Sequence, residues 1–214
     1  MPTERREDAL SRQRIVDAAV RMLDVAGESG LTFRALAAEL RTGAGAIYWH
    51  VANKSELLVA ATDTVLTGTT EPGVAPEDAI RAVALGVYDA VEAHPWVGAQ
   101  LNRLPSQRTT LRVFEGLGRQ LQALGVPVAE QFNSASALLN YVLGVAAQNA
   151  ALAGQVPAGT NRTTFLEGVS ADLDPDDFAF TRTVAAQLRD HDDREQFLAG
   201  LDLILAGIRG RSDR

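Results

Sequence analysis

The chain has 214 residues, enough to bury a real core as one large domain or two small ones, with 46% apolar and 22% charged side chains. It has no cysteine, which excludes a disulfide framework, a thiolate metal site and a thiol nucleophile, and no run of eighteen uninterrupted apolar residues offers a membrane span. The net charge of −7 argues against a nucleic-acid partner until the chain is divided: residues 1–54 carry seven Arg and Lys54 against seven acidic groups, a net of +1, leaving −8 for residues 55–214. The opening MPTERREDALSRQR is charged and lacks the apolar centre of a signal peptide, so the expected compartment is the cytoplasm.

Apolar spacing is helical nearly everywhere, which predicts an all-α chain. Ile15, Ala18, Ala19, Met22, Leu23 and Ala26 form one stripe of a first helix, with Ser11 as its N-cap and Gly27 and Gly30 as its stop. Thr32 is placed to cap a second helix, with Leu31 and Leu36 as a hydrophobic staple across the cap. The turn Arg41-Thr42-Gly43 leads into a very short helix over about 43–50. Val51-Ala52 links this to a helix over 53–66, in which Asn53 and Glu56 have capping-box spacing. Short helices across a tight turn, behind a longer support, have helix-turn-helix spacing. The polar, Gly- and Pro-rich stretch 67–76 reads as a linker, giving a DNA-binding unit at 1–66 and a second unit at 67–214. Further helices are predicted over 77–93, 94–102, 107–124, 128–153, 176–190 and 194–209. Between them, 154–174 scatters Gly, Pro, Thr and Asn and reads as a loop, either beside a ligand entrance or as a plain surface connection. No period-2 alternation of useful length and no internal repeat is found.

The third helix is unusual. Its first half, Thr42, Gly43, Ala44, Gly45 and Ala46, is almost bare, and two glycines within a helix cost about 1 kcal/mol each relative to Ala. Bare backbone can approach a major-groove floor, and an Ala methyl can pack on a thymine methyl. Base-edge hydrogen bonds must then come mostly from elsewhere, with Arg34 and Arg41 as candidates for guanine. Thr32, Thr42, Tyr48, His50 and Lys54 are candidates for phosphate, helped by the helix start at Asn53. Trp49 fits either core packing or the phosphate. His50 has no partner at metal-ligand spacing, and no metal site is expected.

The segment LTFRALAAELRTGAGAIYWHVANKSELL resembles the DNA-binding domain of TetR-family transcriptional regulators, and YWHVANKSELL resembles the tetracycline-repressor branch most. The resemblance implies an N-terminal three-helix domain, a helical ligand-binding domain and a homodimer on a palindromic double-stranded operator. FLAGLDLILAGIRGR is similar to that branch's last dimerisation helix. In it Phe197, Leu201, Ile204, Leu205 and Ile208 form a stripe, and Gly200 and Gly207 stand seven apart, which suits close approach to a second chain.

Polar and aromatic groups on otherwise apolar helices, namely Trp96, Gln100, Phe114, Asn140, Tyr141 and Gln148, are the candidates for a small-molecule pocket. The tetracycline-repressor branch chelates magnesium with a histidine and a glutamate. Here VGAQLN and LGVAAQNA put Gln100 at the first place and Ala147 or Gln148 at the second. Neutral amides are poor magnesium ligands, so no cofactor is expected and metal–tetracycline recognition is doubtful. The expected function is a ligand-released, dimeric repressor without catalytic activity. The alternatives are a DNA-bound regulator with a protein effector, which would have its cavity filled by side chains, and a helical enzyme. Against the enzyme stands the lack of paired-carboxylate or phosphate-loop motifs.

Overall fold

Side-chain caps set three of the first four helices. The computed structural model describes residues 10–66, 73–103, 108–157, 159–171, 174 and 176–212. Ser11 Oγ accepts the Arg14 N–H (3.2 Å) at the head of α1 (Arg12–Gly30), whose inner face buries Ile15, Val16, Ala18, Ala19 and Leu23. Gly27 does not end this helix. At φ 62° and ψ −170° it kinks the chain, a backbone geometry open to glycine, and a last turn follows. Thr32 Oγ1 accepts the Ala35 N–H (3.1 Å) at the head of α2 (Phe33–Glu39), and Leu31 and Leu36 are both buried across that cap.

The third helix, α3 (Ala44–Tyr48), is shorter than its pattern suggested. Gly43 is its extended N-cap, and His50 lies beyond its end, donating its N–H to Ile47 O. Asn53 Oδ1 caps α4 (Lys54–Val65) by accepting the Glu56 N–H (2.9 Å). Glu56 reaches back one residue further than a capping box would, accepting the Ala52 N–H at 2.8 Å. That amide, and then Arg12 at 3.3 Å, hold the Glu56 carboxyl below the usual glutamate range.

Residues 67–72 of the expected linker lie outside the described residues, and Pro76 is the first residue of α5 (Pro76–Ala93), where its missing N–H costs nothing. Then follow α6 (Trp96–Arg103), α7 (Arg108–Ala123) and α8 (Val128–Gln155). The expected loop over 154–174 instead contains α9 (Arg162–Ala171), with the Asn161 side chain accepting the Thr164 N–H at its start. The single helix expected over 176–190 is broken at Val184 into α10 (Ala179–Thr183) and α11 (Ala185–Asp190). The chain closes with α12 (Asp193–Ser212). Among the described residues there are twelve helices and no strand.

In the C-terminal part α5, α7 and α8 pack on one another, and α12 lies against α8 and α5. Helix α6 is the joint, because it touches α1 and α4 on one side and α5 and α8 on the other. A continuous apolar core runs from Ile15 to Ile208. In it the Phe197 ring stacks on Tyr88 (4.8 Å between centroids) and Tyr141 (5.6 Å), and the Tyr141 hydroxyl donates to Phe197 O at 2.9 Å. Gly200 therefore serves close approach within the chain: a Cβ there would collide with the Tyr141 hydroxyl and ring. At Gly207, by contrast, a Cβ would meet nothing.

Candidate nucleic-acid interface and ligand cavity

The exposed side of α2 and α3 gathers most of the residues picked out for DNA. Thr32, Arg34, Arg41 and Gly43 are exposed, while Thr42, Ala44, Ala46, His50 and Lys54 are half-buried. Trp49 is 90% exposed, which decides between its two readings: the indole is not core. Tyr48 packs against Phe33 with the rings tilted and their centroids 4.5 Å apart, which pins the end of α3 to the start of α2 beside Arg34. Ile47 supplies the buried anchor beneath.

Two features of this surface were not legible in the sequence. Arg41 has φ 52°, the left-handed conformation, because α2 ends in a Schellman-type closure: the Arg41 N–H donates to Ala38 O (3.2 Å) and the Thr42 N–H to Ala37 O (2.9 Å). Glycine usually holds that place, so an arginine here accepts backbone strain in exchange for its side chain. Lys54, in turn, is committed inward. Its Nζ donates to Glu28 O at 2.6 Å, tying the head of α4 to the last turn of α1, a structural role the sequence did not disclose. Two further donors of the ammonium group stay available.

The joint between the two halves is polar and specific. Asp24 on α1 accepts from the Trp96 indole N–H (2.7 Å) and pairs with His94 Nδ1 (2.7 Å), while Gln100 donates to Glu28 at 3.0 Å. Trp96 and Gln100 are 8% and 4% exposed, so both belong to this joint rather than to a ligand pocket.

A cavity of about 200 Å³ lies between α4, α5 and α7. Its polar corner is Asp63 on α4, whose carboxylate accepts from the Thr109 hydroxyl (2.6 Å) and Arg112 (2.7 Å) on α7. Leu66, Val83, Val87 and Val113 make its apolar wall. None of the six ligand candidates lines it. Phe114 packs edge-on against Phe132 at 6.3 Å, Asn140 and Gln148 are exposed on the outer side of α8, and Tyr141 serves the Phe197 stack.

Residues 15–61 match the family model for bacterial regulatory proteins of the tetR family, and residues 73–211 match that for the tetracyclin repressor-like C-terminal domain. The chain belongs to the TetR family. An HTH-type transcriptional regulator of Saccharopolyspora erythraea is 31% identical over 160 residues, covering 73% of this chain and 68% of the relative. Among solved structures, the TetR regulator SCO7222 of Streptomyces coelicolor is 55% identical with a TM-score of 0.84, over 95% of this chain and all of the other. ActR of Streptomyces coelicolor, solved in complex with actinorhodin, is 26% identical with a TM-score of 0.75, over 95% and 97%. The protein is thus a TetR-family helix-turn-helix transcriptional regulator.

For a TetR regulator, this cavity departs from the magnesium chemistry of the tetracycline branch. Among the described residues Asp63 is the one carboxylate in its lining, and it is already paired with Arg112, which would repel a cation. Gln100, at the expected histidine place, spends its amide N–H on Glu28. These residues do not fit a metal-chelate site. Sequence reasoning missed Asp24, Asp63, Thr109 and Arg112 because their partners stand 46 to 72 residues apart, beyond the reach of any local pattern.

Proposed function

We propose that this TetR regulator is a homodimeric repressor that holds a palindromic operator with two copies of α3 and is released when a small apolar molecule enters the cavity between α4, α5 and α7. One observation carries the reading: α4 joins the two sites. Its capped head follows the turn that bears Trp49 and His50, and its tail presents Asp63 to the cavity. Twelve residues at 1.5 Å each make a rod of about 18 Å. A ligand that displaces Asp63 from Thr109 and Arg112 acts on the far end of that rod, and so on the spacing of the two reading heads, which must stay near 34–36 Å to meet successive major grooves.

Arg34 and Arg41 are the residues we assign to base edges. Thr32, Thr42, Tyr48, Trp49 and His50 are assigned to phosphates, and Gly43, Ala44 and Ala46 to close approach. The dimer is supported by α12, whose outward face exposes Ala199, Leu203, Ala206 and Gly207, small or apolar residues left uncovered by the described residues of the single chain. An open cavity favours a small molecule over a protein effector. The relative solved with actinorhodin makes that compound the first probe. A regulator of this kind acts in the cytoplasm and turns nothing over, as its regulator relatives suggest.

The test is recovery of bound genomic fragments followed by footprinting. The expected result is a protected palindrome whose occupancy falls steeply between 50 and 200 mM salt, as phosphate neutralisation requires. Binding indifferent to salt, or a protected site without two-fold symmetry, overturns the reading.

A further inference from the structure

The last turn of α1, Glu28 to Gly30, is gripped from outside its own helix. Gly27, at φ 62°, interrupts α1 just before it, and a Cβ at Gly30 would collide with the Ala26 side chain, so the turn is folded closely against the helix it ends. Two other elements meet it at one residue. The amide of Gln100 on α6 donates to the Glu28 carboxylate at 3.0 Å, and Lys54 Nζ at the head of α4 donates to the Glu28 carbonyl at 2.6 Å. Gln100 is buried, so this grip lies inside the joint between the two halves.

The side chain at position 54 suits a double task. It is the one lysine among twenty basic residues. An ammonium group spreads three donors over a tetrahedron, so one can hold a backbone carbonyl while the others face elsewhere, whereas a guanidinium keeps its donors in one plane. Lys54 is half-buried and follows the turn that bears Trp49 and His50. Its charge is therefore held beside the surface assigned to DNA by a residue that α6 holds in turn.

We propose that Glu28 and Gln100 are positioning residues for operator binding: Gln100 steadies the last turn of α1, Glu28 O aims Lys54, and the remaining ammonium donors meet a DNA phosphate. A helix of the C-terminal half thereby sets a DNA contact made by the N-terminal half. This route is separate from the one through Asp63 at the tail of α4. It rests on the DNA-facing surface assigned above and needs neither the dimer nor the cavity.

The test is the salt dependence of binding to the site recovered by footprinting, because each phosphate contact adds about 0.9 to the logarithmic slope. Lys54→Met and Gln100→Met should each lose affinity. The advantage of the wild type over either should shrink between 50 and 200 mM salt, by about 12-fold with two copies on the site and about 3.5-fold with one. The double variant should lose no more slope than Lys54→Met alone. Glu28→Ala, at a half-buried position, should act like Gln100→Met and decides the matter if that variant does not fold. Glu28→Gln, which keeps an oxygen for Gln100, should keep the slope, as should Gly200→Ala, which disturbs only the distant Tyr141 contact. An unchanged slope in Lys54→Met or Gln100→Met, or losses of slope that add in the double variant, overturns the proposal. The smaller shift fails the dimer and supports the positioning. Should no palindrome be recovered, the function proposed above fails, and the same variants on a duplex of arbitrary sequence decide the positioning, since phosphate contacts carry no sequence information.

Discussion

Replacing Arg41 by Asn separates what this residue costs the fold from what it gives to DNA. The left-handed conformation at φ 52° carries a penalty of about 1–2 kcal/mol for an ordinary L residue, and Asn visits it more readily. The side chain is exposed, so little packing is lost with it. Arg41→Asn should therefore stabilise the free protein by about 0.5–1 kcal/mol, a rise in Tm of roughly 1–4 °C for a chain of this size. A bidentate guanine contact is worth about 1–3 kcal/mol, and a symmetric dimer makes it twice, so operator affinity should fall by roughly 30- to 20,000-fold. Thermal denaturation and quantitative gel shifts on an operator series read the two effects. Loss of preference at one symmetric base pair marks a base contact. A uniform loss, with the salt slope reduced by about 1.8 per dimer, marks a phosphate contact. A fall in Tm together with unchanged operator affinity would refute the argument that the strain is retained for binding.

Gly200→Ala forces Tyr141 off the Phe197 carbonyl and should destabilise the chain by about 1–3 kcal/mol in denaturant unfolding; an unchanged midpoint would show that the Phe197 stack gives way freely. Leu203 is 75% exposed on α12, and Leu203→Glu is expected to turn a dimer into a folded monomer by sedimentation, whereas an intact dimer would move the interface elsewhere. The Glu56 carboxyl is lowered by the Ala52 N–H and then by Arg12, so its stabilising effect is present above the pKa it has in the unfolded chain and is lost as pH falls through its lower folded value. Acid titration should therefore narrow the stability difference between wild type and Glu56→Gln below the usual glutamate range. A difference constant with pH would detach the charge from the cap.

The first four helices were legible because their determinants are local. Ser11, Thr32 and Asn53 each cap the helix they immediately precede, and the apolar stripes repeat within a few turns. The Arg34 side chain is exposed beside them as the pattern suggested, whereas Trp49, left open between core and surface by the sequence, is turned outward because a buried Ile47 fixes which way α3 faces. The ligand candidates stay out of the lining of the cavity between α4, α5 and α7 for a physical reason. A polar group on an apolar helix signals a need for a partner without saying which, and Trp96 and Gln100 found carboxylates on α1. Asn140 and Gln148 needed none, being exposed on a long helix whose apolar composition hid its outer side. Helix α9 escaped because Gly, Pro and Thr nearby dilute its short apolar stripe, and the break at Val184 because nothing in the local sequence demands it.

Lys54 is the one lysine of the chain, and its amine sits against the Glu28 carbonyl. The protein therefore carries a single ε-amino group, and that group marks the seam between α1 and α4. Acylating reagents directed at lysine side chains address one atom, and their rate there follows how often the seam opens. Any modification that removes this charge, whether by reagent or by enzyme, weakens the tie between the head of α4 and the last turn of α1 from a charge-assisted hydrogen bond to at most a neutral one.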